Sequence, residues 1–271
     1  MNISFSEFKP SLELARYIET YWIGDFNIRE DSNFSQNVMP NGCIELIIHL
    51  SEDHCALNKG GKEFSKSPPF TLLGLYPELY TVKFKTKVTV FGVRFYPDGF
   101  RNIFGVPSSK ILSTYENGVD VVGNNLKDFC SHVREAVDID GKINLVNRFL
   151  TKQLLKNQRE FDYTHLAMSL IRQRQGLLSF DEIEDRIPIS LRQLQRGFKD
   201  YHGLTITDYI RLSRLNAINK YMLQYPSKFT GLAYDLKFAD QSHFIKEFKH
   251  YTGLSPRRFV KQKNHFIINA V

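Results

Sequence analysis

Apolar residues recur at helical spacing twice in the second half of the chain, and the two stretches repeat one frame. In ISLRQLQRGFKDYHGLTITDYI (189–210) and ADQSHFIKEFKHYTGLSPRRFV (239–260), Leu194 matches Phe244, Phe198 matches Phe248 and Tyr201 matches Tyr251. Gly203 matches Gly253 and Thr205 matches Ser255, all at an offset of 50 residues. Recurrence at i, i+4 and i+7 puts each apolar set on one face of a helix. Gly203 and Gly253 are placed to end those helices in the left-handed C-terminal position. Thr205 and Ser255 can cap the helices that follow, and Pro256 suits a first turn. The connecting stretch TITDYIRLSRLNAINKYMLQ (205–224) has no Gly or Pro. Ile206, Tyr209, Ile210, Leu212, Leu215, Ile218, Tyr221 and Met222 give it apolar spacing. It reads as one helix of about 19 residues, roughly 28 Å long.

The first half shows mostly another period. MPNGCIELIIHL (39–50) opens on a Pro40-Asn41-Gly42 turn and runs into a short strand. TVKFKTKVTVFGVRFYPDGF (81–100) alternates, with Val82, Phe84, Val88, Val90 and Gly92 among Lys and Thr, and Pro97-Asp98-Gly99 reads as its closing turn. The polar, Gly/Pro-rich SEDHCALNKGGKEFSKSPP (51–69) reads as a loop. From about Asn125 the period becomes helical, in LKDFCSHVREAV and INLVNRFLTKQLL. In the second piece Ile143, Val146, Phe149, Leu150 and Leu154 form one stripe, which packs on its own domain or serves as a dimer seam. The expected fold class is α+β. Residues 1–154 form a mainly antiparallel β domain, a small barrel or sandwich, with helices. Residues 155–271 form an all-α double helix-turn-helix domain.

Charge sharpens this division. Residues 1–154 hold 17 Lys and Arg against 18 Asp and Glu, and residues 155–271 hold 19 against 11. The net charge of +7 on the 271-residue chain therefore lies in the second half, which suits a nucleic-acid partner or an anionic surface. The polar face of the first repeated helix carries Arg192, Gln193, Arg196 and Lys199, with Gln195 on the flank. The second carries Ser242, His243, Lys246 and Lys249, with Gln241 near its N-terminus. Arg and Lys can contact guanine edges or phosphates, Gln can pair with adenine, and a helix fits the major groove. A shorter helix precedes each across a tight turn. FDEIEDR leads through Ile187-Pro188-Ile189 to Ser190, and GLAYDLK leads through Phe238-Ala239 to Asp240. That is helix-turn-helix, twice.

Two amphipathic helices with solvated polar faces would explain either stretch alone. Two in register, both capped and both basic, favour double-stranded DNA. Phosphate contacts are expected from Lys199, Arg211, Lys249, Arg257 and Arg258, and from helix N-termini at Ser190, Gln241 and Ser255. Base readout is expected from Arg192, Gln195 and Arg196 in one groove, and from Gln241, Ser242, His243 and Lys246 in the next.

No catalytic constellation emerges from the residues. The first half has His49, His54 and His132, with no HxH or HExxH spacing, no Gly-rich phosphate loop and no GxSxG elbow. His49, near a strand end, reads as a satisfied structural histidine. Cys43, Cys55 and Cys130 form no CxxC pair and read as reduced thiols of a cytoplasmic protein. No run of ~18 apolar residues could span a membrane. The opening MNISFSEFKPSLELARY has no basic start followed by an apolar stretch, so it is not read as a signal peptide. The expectation is a non-enzyme without cofactor or metal. The competing reading, a metal-dependent β-barrel enzyme carrying a DNA-binding tail, lacks a His/Glu metal set. A methyl-transfer repair protein would need four clustered Cys, and this chain has three scattered ones.

Residues 179–261 resemble the DNA-binding domain of AraC/XylS-type transcription regulators. The motif lies in AYDLKFADQSHFIKEFKHYTGLSPRRF (233–259): an Ala in the short helix, a Phe after the turn, Asp-Gln-Ser-His-Phe, Phe-Lys, then Gly and Pro. The resemblance implies seven helices, the first at about 161–175, with two helix-turn-helix units joined by a long central helix. Three positions depart from the pattern. Lys237 stands for the Gly before Phe238, Glu184 for an Ala in the first short helix, and Pro188 for a turn Gly. The pieces MPNGCIELII, LLGLYPE and FGVRFYPDGFRNIFGVP are similar to the N-terminal domain of a poorly characterised subset of these regulators. This implies a sensor or dimerisation module at 1–154, before an AraC-type DNA-binding domain at 155–271. RNA polymerase, a small-molecule effector and a homodimer partner are compatible with the resemblance. A membrane is not.

Overall fold

The computed structural model describes residues 2–28, 34–58, 63–84, 86–157, 163–224, 234, 238, 240–262 and 266–267. The chain divides into two compact units. The first comprises residues 1–35, 43–75 and 82–161, and the second residues 36–42, 76–81 and 162–271.

The strands in chain order are β1 (Asn2–Phe8), β2 (Ile18–Asn27), β3 (Ser35–Val38), β4 (Ile44–His49), β5 (Ala56–Asn58), β6 (Ser65–Lys66), β7 (Phe70–Leu73), β8 (Tyr80–Lys83), β9 (Lys87–Phe95) and β10 (Tyr115–Asn117). Six of them make one antiparallel sheet in the first unit, in the order β1-β2-β9-β4-β7-β10. Strands β5 and β6 pair antiparallel within the stretch that reads as a loop, with Ala56 opposite Lys66. Backbone groups there pair even though the side chains show no apolar alternation.

The helices of this unit are α1 (Pro97–Phe104), α2 (Gly118–Val122), α3 (Asn124–Glu135) and α4 (Ile139–Lys156). The expected Pro97-Asp98-Gly99 turn is instead the first turn of α1. Pro is tolerated at the first helical position, where its missing N–H is not needed. Gly99 is required by packing, since a Cβ there would lie 2.0 Å from the Tyr17 carbonyl oxygen.

Side chains alternate across the sheet. One face presents Tyr21, Phe91, Phe95 and Val93, all buried, and the helices cover it. Tyr21 donates its hydroxyl to Asn147 of α4 at 2.8 Å. The Phe95 ring meets Phe100 and Phe104 of α1 edge-on at 5.7 Å, and Phe129 of α3 stacks on Phe149 of α4 at 3.9 Å. Val146 and Leu150 are fully buried, so the apolar stripe of α4 packs on its own unit. Each such fully buried side chain contributes about 1.5–3 kcal/mol.

The other face of the sheet is polar as well as buried. Trp22 stands opposite Gly92, and its indole fills the space that a Cβ on Gly92 would need. Arg94 is buried and bonds Glu45 at 2.8 Å, Glu7 at 3.1 Å and Glu19 at 3.5 Å. Three carboxylates from three strands thus converge on one guanidinium. His49 is buried, with Nδ1 3.3 Å from the Pro69 carbonyl and Nε2 3.3 Å from Cys55 Sγ, as a structural histidine requires. None of the three cysteines is in a disulfide, and all three are buried.

The helices of the second unit are α5 (Tyr163–Gln173), α6 (Phe180–Glu184), α7 (Leu191–His202), α8 (Ile206–Gln224), α9 (Gln241–Thr252) and α10 (Pro256–Lys261). Strand β11 (Phe266–Ile267) pairs in parallel with β3, Phe266 opposite Asn37. Ala167, Met168 and Ile171 of α5 pack with Ile183, Leu194, Phe198, Ile206, Tyr209 and Ile210. Glu184 is exposed and Ile183 supplies the packing of α6, so an Ala is not needed at 184. The short helix expected in GLAYDLK (231–237) lies outside the described residues, apart from Tyr234, which is exposed. No helix among the described residues is long and apolar enough to cross a membrane.

Candidate nucleic-acid interface

Helices α7 and α9 are built by the same local rules. Ser190 caps α7 in a reciprocal pair: the Gln193 N–H donates to Ser190 Oγ and the Ser190 N–H donates to Gln193 Oε1, both at 3.3 Å. Asp240 caps α9 by accepting from the His243 N–H at 2.8 Å. At the other ends Gly203 (φ 73°) and Gly253 (φ 69°) adopt the left-handed conformation, and each N–H bonds the carbonyl four residues back. Thr205 caps α8 with Asp208, as expected. Ser255 stands at the cap position of α10 but makes no side-chain cap bond. Thr252 makes the local bonds there instead, donating to the carbonyls of Phe248 and Leu254 and accepting from the Leu254 N–H.

The buried faces are alike but not identical. Leu194 and Phe198 correspond to Phe244 and Phe248, all buried. At the next step α7 buries His202, which lies 3.3 Å from Thr164 Oγ1, and leaves Tyr201 37% exposed. Helix α9 buries both Tyr251 and Thr252. Burial pushes the Tyr251 phenol up to about 12. The stripe of α7 thus follows i, i+4, i+8 rather than i+7, a spacing equally compatible with 3.6 residues per turn.

The outward faces hold the expected polar residues. Ser190, Arg192, Gln193, Gln195, Arg196 and Lys199 are exposed on α7 and its cap. Gln241, Ser242, His243, Lys246 and Lys249 are exposed on α9. Arg211 on α8 and Arg257 and Arg258 on α10 are exposed, and Ser255 is half-buried. Several have intramolecular partners. Gln193 is engaged by the cap. Lys199 Nζ reaches the Gly203 carbonyl at 3.0 Å. His243 Nε2 lies 3.5 Å from Glu247, and its ring meets Phe238 edge-on at 5.4 Å. Arg211 is 3.9 Å from Asp208, too long for a strong pair.

Electrostatics distinguish the two N-termini. Ser190 is neutral, so the positive end of the α7 dipole is available to an anion. Asp240 puts a carboxylate at the start of α9, beside Gln241, which opposes a phosphate there. Asp-Gln-Ser at 240–242 displays this contrast in the letters themselves. No group of three or more His, Cys, Asp and Glu among the described residues could hold a metal ion.

Comparison with known proteins agrees with this geometry. Residues 184–262 match a family described as a helix-turn-helix domain, and residues 6–116 match a domain of unknown function, DUF6597. The HTH-type transcriptional activator RhaS of Escherichia fergusonii is 35% identical over 80 residues, which are 30% of this chain and 29% of RhaS. The bifunctional transcriptional activator/DNA repair enzyme AdaA of Bacillus subtilis is 32% identical over 82 residues, 30% of this chain and 39% of AdaA. The chain thus spans only 29% and 39% of these two relatives. The crystal structure of ToxT from Vibrio cholerae aligns over 89% of this chain and 98% of its own, with a TM-score of 0.52 at 13% identity, a likeness of fold. The C-terminal part of the chain is therefore an AraC-type helix-turn-helix domain, homologous to those of RhaS and AdaA and joined to an N-terminal DUF6597 domain.

Proposed function

We propose that the chain is a sequence-specific, DNA-binding transcription regulator without enzymatic activity, acting in the cytoplasm. Its second unit reads two adjacent major grooves through α7 and α9. The observation that carries this is the duplicated frame: two capped helices, each ended by a left-handed Gly, each burying one face and exposing a basic polar one. Helix α8, with 19 residues, is about 28 Å long, near the 34–36 Å of one DNA turn. Arg192, Gln195 and Arg196 contact base edges in one groove, and Gln241, Ser242, His243 and Lys246 in the next. Lys199, Arg211, Lys249, Arg257 and Arg258 contact phosphates. Among the N-termini, Ser190 is favoured over Gln241 because Asp240 repels a phosphate. The N-terminal domain senses a small-molecule effector or mediates homodimerisation, and RNA polymerase is a further partner.

Selection of bound duplexes from a random pool with the intact protein tests this reading. The expected product is a site with two recognised segments about one helical turn apart. Recovery of duplexes with no shared sequence would sink it.

A further inference from the structure

Arg214 lies half-buried on α8. Its Nη2 donates to the carbonyl of Gly176 at 3.0 Å. Gly176 lies three residues before Ser179, which caps α6. Its guanidinium carbon sits 5.1 Å from the centre of the Phe238 ring. Phe238 is buried two residues before Asp240, which caps α9, and its ring meets Phe244 and His243 of α9 edge-on. One side chain of the central helix therefore touches the residues that lead into both units.

The surroundings explain why an arginine is needed. Gly176 has φ +71°, and a Cβ there would come 2.5 Å from the Ile210 carbonyl and 2.8 Å from the Arg214 nitrogen. The loop after α5 can thus lie directly on α8 and present its carbonyl to Arg214. A planar guanidinium can donate in its plane while an aromatic ring covers its face. Lysine keeps the charge but has no such plane. Arg214 Nε is buried and has no hydrogen-bond partner among the described residues, so the group is held by these two contacts at some desolvation cost.

We propose that Arg214 is a positioning residue that fixes the separation of the two reading helices, by hydrogen-bonding the approach to the first unit while packing against Phe238 at the approach to the second. It touches no DNA. The inference rests on the DNA-reading function proposed above.

The test compares two duplexes with the intact protein: one selected from the random pool, and the same duplex with one base pair inserted between its recognised segments. The wild type should bind the lengthened duplex at least about tenfold more weakly, as for a displaced base contact. Arg214→Met should keep its melting temperature within a few degrees and discriminate less than about threefold, because the second unit is no longer held at one distance. Phe238→Leu should do the same, the double variant should be no worse than either single one, and Arg214→Lys should recover part of the discrimination. Discrimination as strong in Arg214→Met and Phe238→Leu as in the wild type overturns the role of Arg214 alone. So does equal loss on both duplexes together with a lowered melting temperature. A wild type that prefers no duplex over unselected DNA overturns both this inference and the function beneath it.

Discussion

Lys199 and Gly203 bond reciprocally at the end of α7: the Gly203 N–H donates to the Lys199 carbonyl, and Lys199 Nζ donates to the Gly203 carbonyl at 3.0 Å. At the matching place in α9, the Gly253 N–H bonds the Lys249 carbonyl in the same way. Lysine near a helix C-terminus satisfies carbonyls that the helix leaves open. Lys199→Ala should therefore lower stability by about 0.3–1 kcal/mol as well as weaken DNA binding. Lys249→Ala should reduce the slope of log affinity against log salt by about one unit. Binding titrations over a range of salt concentrations decide this, and an unchanged slope removes Lys249 from the phosphate contacts.

His49 predicts a pH dependence of stability. Burial lowers its imidazole to about 4, against about 6.5 in an unfolded chain. As pH falls below about 6.5 the unfolded chain takes up this proton first, so the stabilisation is complete above that pH and declines towards pH 4. The loss is at most about 3 kcal/mol over the window. Urea unfolding between pH 4 and 7 should show the midpoint falling with pH, and His49→Gln should flatten the curve. An equally steep curve in that variant would contradict the assignment.

The carboxylates around Arg94 should be intolerant of its removal. Arg94→Met leaves Glu7, Glu19 and Glu45 converging without their guanidinium, at a cost of roughly 3–5 kcal/mol. Adding Gln at 7, 19 and 45 should recover most of that loss. Denaturant unfolding measures both, and a loss below about 1 kcal/mol for Arg94→Met would mean the group is not buried as described.

Two glycines should fail for different reasons. Gly92 is extended, and a methyl there collides with Trp22, the one tryptophan of the chain. Gly92→Ala should cost about 1–3 kcal/mol and change the intrinsic fluorescence. Gly253 has nothing within 4 Å of an added Cβ but has φ +69°. Gly253→Ala should cost about 1–2 kcal/mol through backbone strain, without altering that fluorescence. Thermal unfolding with tryptophan emission separates the two cases.

The helical unit was legible because its signals are local. Phe198, Gly203 and Thr205 specify a helix, its stop and the next start within eight residues, and the repeat at Phe248 and Gly253 duplicates the message. The exchange of Tyr201 for His202 on the buried face was not legible, because i+7 and i+8 fit one stripe equally well. The same ambiguity affected Pro97-Asp98-Gly99, since Pro opens helices as readily as turns. Only the close approach of the Tyr17 carbonyl to Gly99 shows the reason for a glycine there. The convergence of Glu7, Glu19 and Glu45 on Arg94 depends on sheet order and register, which are non-local. So does the reach of Arg214 to Gly176 and Phe238.

The central claim is that α7 and α9 read different bases in neighbouring grooves. The most direct measurement is binding of the wild type, Arg196→Ala and Lys246→Ala to the selected duplex and to every single-base-pair variant of it. Arg196→Ala should cost about 1–3 kcal/mol and relax preference at one base pair in one segment. Lys246→Ala should relax preference in the other segment, about one helical turn away. Relaxation at the same base pair by both variants, or uniform loss on all sequences, would contradict the claim.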